Sequence, residues 1–357
     1  MLIRAICIAV LIGILVAGLW PFHAPSNQVS WLSNGEGLFF GDFGSIVSAS
    51  AFRAKQLNAG APCSLEIWLQ ARQVDSSGTI LAFYWPENLV VRFELRQSLA
   101  DLAIGHTSLE NSRQPRSSLL YVDDLFSRPE SIFITISSGP AGTAVYADGT
   151  LVKKAENFRI SGQDLTGQLI IGNTPATTHN WSGQVRGFAF YDRDLTAAEV
   201  SQHYASWAGT GGIDLVENEG AVARYLFNEG KGRVVHNQVD SATNLFIPEK
   251  FFVLREQFLV PPWDEFYPDW SYWKDIGINI SGFIPLGFFF RAYFSEVRKL
   301  KHSAQVTIAM GFAVSLTIEV LQALLPTRNS GMTDLITNTS GTALGVVLYA
   351  WSVSIIG

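Results

Sequence analysis

The chain has 357 residues, enough for two domains. Hydrophobic residues make up 48% and charged residues 16%, against roughly 25% charged in an average soluble protein, which points to membrane segments and excludes a disordered or collagenous chain. The net charge of −6 argues against nucleic acid as a partner, and two cysteines, Cys7 and Cys63, are too few for a disulfide framework or a cysteine-based zinc site.

Taken from the N-terminus, residues 5–20 (AICIAVLIGILVAGLW) are uncharged, preceded by Arg4 and closed by Trp20. The exit, VAGLWPFHAPS, has no clean small-x-small cleavage site, so residues 1–24 are expected to be an uncleaved signal anchor, with a cleaved signal as the alternative. The span itself is expected over about 2–22.

Residues 25–248 alternate short β-like runs with turn signals: LEIWLQAR (65–72), TILAFYW (79–85), LVVRFELR (89–96), SIFITIS (131–137), TAVYADGTLV (143–152) and GQLIIGN (167–173). In the first, Leu65, Ile67 and Leu69 face one way and Glu66, Trp68 and Gln70 the other. Asp148-Gly149 between two strand-like runs is a hairpin signal. Many short strands with regular turns predict an all-β jelly-roll sandwich.

The stretch WSGQVRGFAFYDRDLTAAEVSQHYASW (181–207) runs from a strand into a short helix. Thr196 and Glu199 have the spacing of a capping box, Gly183 and Gly187 permit close backbone approach, and Trp181 and Tyr191 read as core aromatics. With Arg193 and Leu195, these residues resemble the closing segment of the laminin-G-like (LamG), concanavalin A-like jelly rolls. PCSLEIWLQAR, VYADGTLV and YLFNEGKGRVVHN are similar to further strands of that family. The resemblance implies a binding domain, with a glycan, a glycolipid or an envelope protein as its partner.

The E-x-D-x-x-E strand of related glucanases does not occur, since Glu66, Glu87 and Glu94 each lack an Asp two residues later. Asp42, Asp148 and Asp164 are expected to be solvated turn residues, the six histidines are scattered, and no metal or other cofactor is expected.

Residues 249–270 form an aromatic juxtamembrane linker. Trp263, Phe266, Tyr267, Trp270, Tyr272 and Trp273 lie within PPWDEFYPDWSYWKD (261–275), the composition of a membrane-interface belt. A transmembrane domain is then expected over 271–357, with spans at about 276–295, 304–325 and 335–356, making four with the anchor. The loop SEVRKLKHS carries Arg298, Lys299 and Lys301, which places it and the N-terminus in the cytoplasm and residues 25–270 outside. Of the 25 Lys+Arg and 31 Asp+Glu, seven and four lie in 1–24 and 271–357, which leaves 25–270 with a net charge of −9.

Polar residues line one face of each C-terminal helix. Asp275, Asn279 and Gly282 follow i, i+4, i+7 spacing. Ser315, Glu319 and Gln322 repeat it, and so do Asp334, Asn338, Gly341 and Gly345, the last two forming G-x-x-x-G. Such stripes face one another rather than lipid. Asp275, Asn279, Glu319, Gln322, Arg328, Asp334 and Asn338 are therefore the candidate ligand-binding cluster, and a packing and capping network is the competing reading.

D-x-x-x-N-I-x-G-F-I-P-L-G (275–287), S-x-x-x-E-x-x-Q-x-x-L-P-x-R (315–328) and D-L-x-x-N-x-x-G-x-x-x-G (334–345) resemble the three motifs of the VanZ-like family, matching also at Phe283, Pro285, Gly287 and Pro326. That family takes its name from a protein of low-level teicoplanin resistance, and its biochemical activity is not established. The expectation is a multi-pass protein of the bacterial cytoplasmic membrane whose bundle holds a membrane lipid, as a lipid-linked or amphiphilic ligand at the outer leaflet, with Arg328 on an anionic headgroup because its fork suits phosphate. The alternatives are an enzyme using Glu319 or Asp334 as acid or base on a lipid-linked phosphate or sugar, and a structural adaptor.

Overall fold

The computed structural model describes residues 1–53, 60–108, 116–175, 179–210, 220–251, 253, 258–266, 270–325, 328 and 330–356. Tyr267 and Pro326 lie outside the described residues. The chain forms two compact units, Pro25–Arg255 and a helical unit made of Met1–Ala24 with Glu256–Gly357.

The first unit is a sandwich of two antiparallel sheets. One sheet runs β1 (Val29–Trp31), β2 (Leu38–Phe40), β13 (Gly183–Tyr191), β4 (Cys63–Ala71), β9 (Ile132–Gly139), β10 (Gly142–Ala147) and β11 (Thr150–Ala155), with β14 (Ala221–Tyr225) also on β13. The other runs β15 (Val234–Val235), β16 (Leu245–Phe246), β3 (Ile46–Ser48), β12 (Gln168–Ile171), β5 (Ser77–Tyr84), β6 (Val91–Ser98), β7 (Asp101–Ser108) and β8 (Arg116–Val122). Strand alternation makes the core. Leu65, Ile67 and Leu69 of β4 meet Phe83, Phe93 and Leu95 of the facing sheet within one cluster, which also contains Trp181. The Trp181 ring nitrogen donates to Gln97 Oε1 at 2.9 Å, so its one polar atom is satisfied inside the core.

Asp148 and Gly149 turn β10 into β11 with φ of 49° and 76°, the left-handed pair that a two-residue hairpin needs. Asp148 is more than a solvated turn residue. Its Oδ1 accepts the Phe133 N–H at 2.9 Å and its Oδ2 pairs with Arg128. Asp164 also departs from expectation, being buried. It caps a 3-10 turn by accepting from the Ser161 N–H and hydroxyl at 2.8 and 2.9 Å, and it lies 3.6 Å from Arg92. Asp42 is the exposed one of the three and reaches Arg72 at 3.4 Å.

Helix α2 (Ala197–Thr210) lies on the outer face of the first sheet. Thr196 and Glu199 form the expected capping box, with the Thr196 N–H on Glu199 Oε2 at 2.7 Å and the Glu199 N–H on Thr196 Oγ1 at 3.3 Å. Glu66, outward on β4, is covered by this helix and accepts from Tyr191 Oη and His203 Nδ1, both at 2.9 Å. Gly187 is required by the same docking, since a Cβ there would lie 2.0 Å from a ring carbon of Trp207.

The helical unit contains α1 (Leu2–Leu19), α3 (Pro262–Glu265), α4 (Trp270–Ala292, ending in a π-helical turn at Tyr293–Val297), α5 (Ser303–Gln322) and α6 (Met332–Ile356). Leu2–Leu19, Tyr272–Val297 and Ser303–Gln322 are long and apolar enough to cross a membrane. Among the described residues these are three, against the four spans expected. The first half of α6, TDLITNTSGT, is largely hydroxyl, amide and glycine.

Those polar and small residues are spent on packing. A Cβ at Gly341 would meet the Ile280 carbonyl oxygen at 2.2 Å, one at Gly345 the Ile284 oxygen at 2.2 Å, and one at Gly287 the Thr342 oxygen at 2.0 Å. The backbones of α4 and α6 therefore run side by side and parallel. Gly311 of α5 lies equally close to the Thr342 side chain. Gly282 has open space instead, so it does not extend the α4 stripe into a contact. Helix α1 joins the bundle through Val10, Leu11, Ile14 and Leu15 against Phe283, Leu286 and Ile318.

Two outcomes are expected. Gly187→Ala should overpack the α2 contact and destabilise the sandwich by about 1–3 kcal/mol, read as a lowered melting temperature of the full chain in mild detergent. Glu199 is held down at about 2, first by the Thr196 N–H and also by Arg193. Its contribution is therefore present above its ordinary value of 4.5 and lost as pH falls through about 2. The melting-temperature gap between the parent chain and Glu199→Gln should be widest above pH 4.5 and close as pH approaches 2.

Candidate functional site

The polar stripes meet at one end of the helical bundle, where α4 and α6 begin and α1 and α5 finish. From α4, Asn279 donates its Nδ2 to Asp334 Oδ1 of α6 at 2.7 Å. From α5, Ser315 accepts Asn338 Nδ2 at 3.0 Å. One turn further along α5, Glu319 is 1% exposed and accepts the Gly331 N–H at 2.8 Å through Oε2. That N–H stands just ahead of α6, where backbone donors lack helical partners, so Glu319 acts as a cap supplied by another helix.

Gln322 and Arg328 take another direction. Gln322 Nε2 donates to the Gly18 carbonyl at 2.7 Å, and Arg328 Nη2 donates to the Trp20 carbonyl. Both tie the C-terminal end of α1 to the bundle. Arg328 forms no ion pair with Glu319 or Asp334 among the described residues. Asp275 is exposed in the second turn of α4 and makes no side-chain hydrogen bond or ion pair among the described residues, though its charge is felt at Asp334.

One acid escaped sequence reasoning. Glu265 of α3 accepts the Thr333 N–H at 3.0 Å through Oε2, and its Oε1 would lie 1.7 Å from a Cβ at Gly331. Glu265 and Glu319 thus flank the same glycine. Its position within an aromatic-rich linker gave it the look of a belt residue. The surrounding aromatics do match a belt in exposure, with Trp263 at 76% and Trp270 at 81%.

Four carboxylates, Glu265, Asp275, Glu319 and Asp334, consequently gather around the α6 N-terminus. No ion pair satisfies them among the described residues. Two acceptors on the same stripe are buried without a partner, Gln322 Oε1 and Asn338 Oδ1. The arrangement can cap helices, and it can also accept hydrogen bonds from a ligand.

In the sandwich, the outer face of the second sheet carries Tyr84, Glu94, Arg96, Leu119 and Tyr121 in neighbouring strands. Tyr84 donates to Gln168 Oε1 at 2.9 Å, and Glu94 and Arg96 pair at 3.9 Å. Burial raises the Glu94 carboxyl, and Arg96 opposes that shift. Leu119 and Tyr121 are exposed. A cleft of about 580 Å³ opens beside Val122, Ile132 and Val152, and of its charged groups Arg128 pairs with Asp148 and Lys153 with Asp123, with Asp124 beside them.

Residues 224–354 match the VanZ/LLP1 family, and residues 44–201 match the concanavalin A-like lectin/glucanases superfamily. The chain therefore joins a LamG-like, concanavalin A-like sandwich to a VanZ-like C-terminal part. The VanZ match begins within β14, well ahead of the expected start at 271. No curated protein matches the chain.

Among solved structures, similarity is found to the binding domain of Paraclostridial Mosquitocidal Protein 1 (11% identity, TM-score 0.38, 52% of this chain and 48% of that one). The receptor binding domain of botulinum neurotoxin D is similar at 12% identity and TM-score 0.38 over the same shares. The binding domain of Botulinum Neurotoxin DC in complex with SialylT is similar at 14% identity and TM-score 0.34, over 51% of this chain and 45% of that one. The chain spans about half the length of these structures.

Glu319→Ala should strand the buried Gly331 N–H and cost about 1–3 kcal/mol. Glu319→Gln keeps an acceptor there and should cost less than half as much. Melting temperatures of the two full-length variants in the same detergent check this ordering.

Proposed function

We propose that this is a bacterial envelope protein of the cytoplasmic membrane, in which the sandwich recognises a glycan outside the membrane and the helical bundle binds an amphiphile at headgroup level. The observation that carries the reading is the ladder of polar contacts, half-buried at Asn279–Asp334 and buried at Ser315–Asn338 and Glu319–Gly331, that joins α4 and α5, both apolar enough to cross a membrane, to α6. Ionisable groups at such a position are costly to keep, and their usual justification is a ligand or ion pathway.

Orientation follows from charge. The bundle end opposite the carboxylates carries Arg4, Arg291, Arg298, Lys299 and Lys301. Basic residues favour the cytoplasmic side, so the acidic end faces out, at the level where Trp20, Trp263, Trp270 and Trp273 are exposed. Glycan recognition is supported by the lectin/glucanase match and by the outer face of the second sheet. Exposed Tyr121 offers an apolar platform there, and the Glu94–Arg96 pair offers hydroxyl-binding groups.

Two measurements test the two halves. A glycan array probed with the full chain in mild detergent should give a discrete set of bound sugars. Tyr121→Ala should lower that signal about tenfold, roughly 1.4 kcal/mol, with an unchanged melting temperature. A blank array from folded protein would remove glycan recognition. For the bundle, native mass spectrometry of the chain as extracted should show a discrete co-purifying lipid that the Glu319→Gln/Arg328→Ala double variant loses. Identical lipid profiles would leave the polar ladder as packing alone.

A further inference from the structure

The balance of donors and acceptors at the acidic end identifies the chemistry of its ligand. Gln322 is 8% exposed, and its amide nitrogen is fixed on the Gly18 carbonyl, a group that can only accept. The orientation of that amide is therefore settled, and its oxygen is left buried with no donor. Asn338 Oδ1 on α6 is also buried without a donor, its Nδ2 resting on the Ser315 hydroxyl. Glu319 lies within electrostatic range of Asp334 and Glu265, and Asp334 within range of Glu265 and Asp275.

The neighbouring cations do not balance these groups. Arg328 has its Nη2 on the Trp20 carbonyl, and Lys274 is exposed at the rim. The end of the bundle thus offers four carboxylates and two orphaned amide oxygens, with one guanidinium at its edge. Of the carboxylates Glu319 is buried, Glu265 and Asp334 are half-buried and Asp275 is exposed, and buried acceptors without donors are expensive.

We infer that the bundle binds an amphiphile through a protonated amine, the ammonium group entering among Glu319, Gln322, Asp334 and Asn338. This rests on the reading of the bundle as an amphiphile site and reverses the polarity first expected of it, because the buried groups accept rather than donate. An ammonium brings three N–H donors and a positive charge on one atom, which matches both deficits at once. The carboxylates flank different points of the α6 N-terminus, and among the described residues no three His, Cys, Asp or Glu side chains form a metal-binding group. Arg328 is exposed, so its remaining N–H groups suit a phosphate on the same headgroup.

The test uses the full chain in mild detergent with three lipids of equal acyl chains added separately: phosphatidylethanolamine, phosphatidylcholine and phosphatidylglycerol. Native mass spectrometry or a fluorescent-lipid titration reads binding. Phosphatidylethanolamine should bind at least tenfold more tightly than either of the others, since phosphatidylcholine keeps the charge but has no N–H donors. Asp275→Asn, at an exposed position that leaves folding intact, should reduce that preference two- to threefold, and Gln322→Leu should reduce it further.

Equal binding of phosphatidylethanolamine and phosphatidylcholine overturns the inference. A preference for phosphatidylglycerol that Arg328→Ala removes also overturns it, while leaving the amphiphile reading in place. Failure of folded protein to bind any of the three overturns both. Competition by water-soluble ethanolamine as strong as that by the lipid would keep the ammonium and assign it to a soluble amine.

Discussion

Hydrocarbon offers a polar group no hydrogen-bond partner, so each one inside a membrane helix must find its partner in another part of the protein. The helical unit is organised by this constraint. Asn279 needs Asp334, Asn338 needs Ser315, and Glu319 needs the Gly331 N–H. These requirements fix which faces of α4, α5 and α6 turn inward. Close approach of the backbones then follows from glycine, with Gly287, Gly341 and Gly345 leaving room for carbonyl oxygens where any side chain would collide.

The sandwich solves the opposite problem. Water is available to it, and its order comes from excluding water between two sheets. Even so, it places one polar cluster where water does not reach. Glu66 on β4 is fully covered by α2 and is satisfied by Tyr191 and His203. Burial pushes the Tyr191 hydroxyl up, and the Glu66 carboxylate adds to that shift, which keeps the phenol protonated and donating. The contact fixes the helix in rotation and in depth, because the Trp207 ring fits only over the bare backbone of Gly187. A sheet face covered this way is closed to ligands.

Legibility in the sequence followed the separation of the interacting residues. The Thr196–Glu199 capping box and the Asp148-Gly149 turn are local, so spacing alone announces them. The stripes on the last three helices were legible because helical periodicity is also local, and their mutual contact follows from the constraint on polar groups in lipid. Glu66 with His203 was not legible, since 137 residues separate them and strand alternation marks Glu66 only as outward-facing. Glu265 was hidden by its aromatic neighbours. The destination of Arg328 was hidden for a different reason: its acceptor is a backbone carbonyl of α1, and carbonyls leave no trace in composition. Asp164 looked like a turn residue and is one, but its turn closes over the edge of the core.

The arrangement at the acidic end has a simple electrostatic logic. Two helices, α4 and α6, present their N-termini there, and α1 and α5 present their C-termini. Helix N-termini favour negative charge and C-termini favour donors and cations. Asp334 sits in the opening turn of α6, with Glu265 and Glu319 arriving from outside to cap it. Gln322 and Arg328 donate to the last carbonyls of α1. The carbonyls at the end of α1 therefore compete for Arg328, and that is why it does not neutralise Glu319. Partial charges on backbone groups do not cancel four carboxylates, however. The competition for Arg328 leaves the centre of the cluster rich in acceptors, and a positively charged donor from outside the chain is what such a centre lacks.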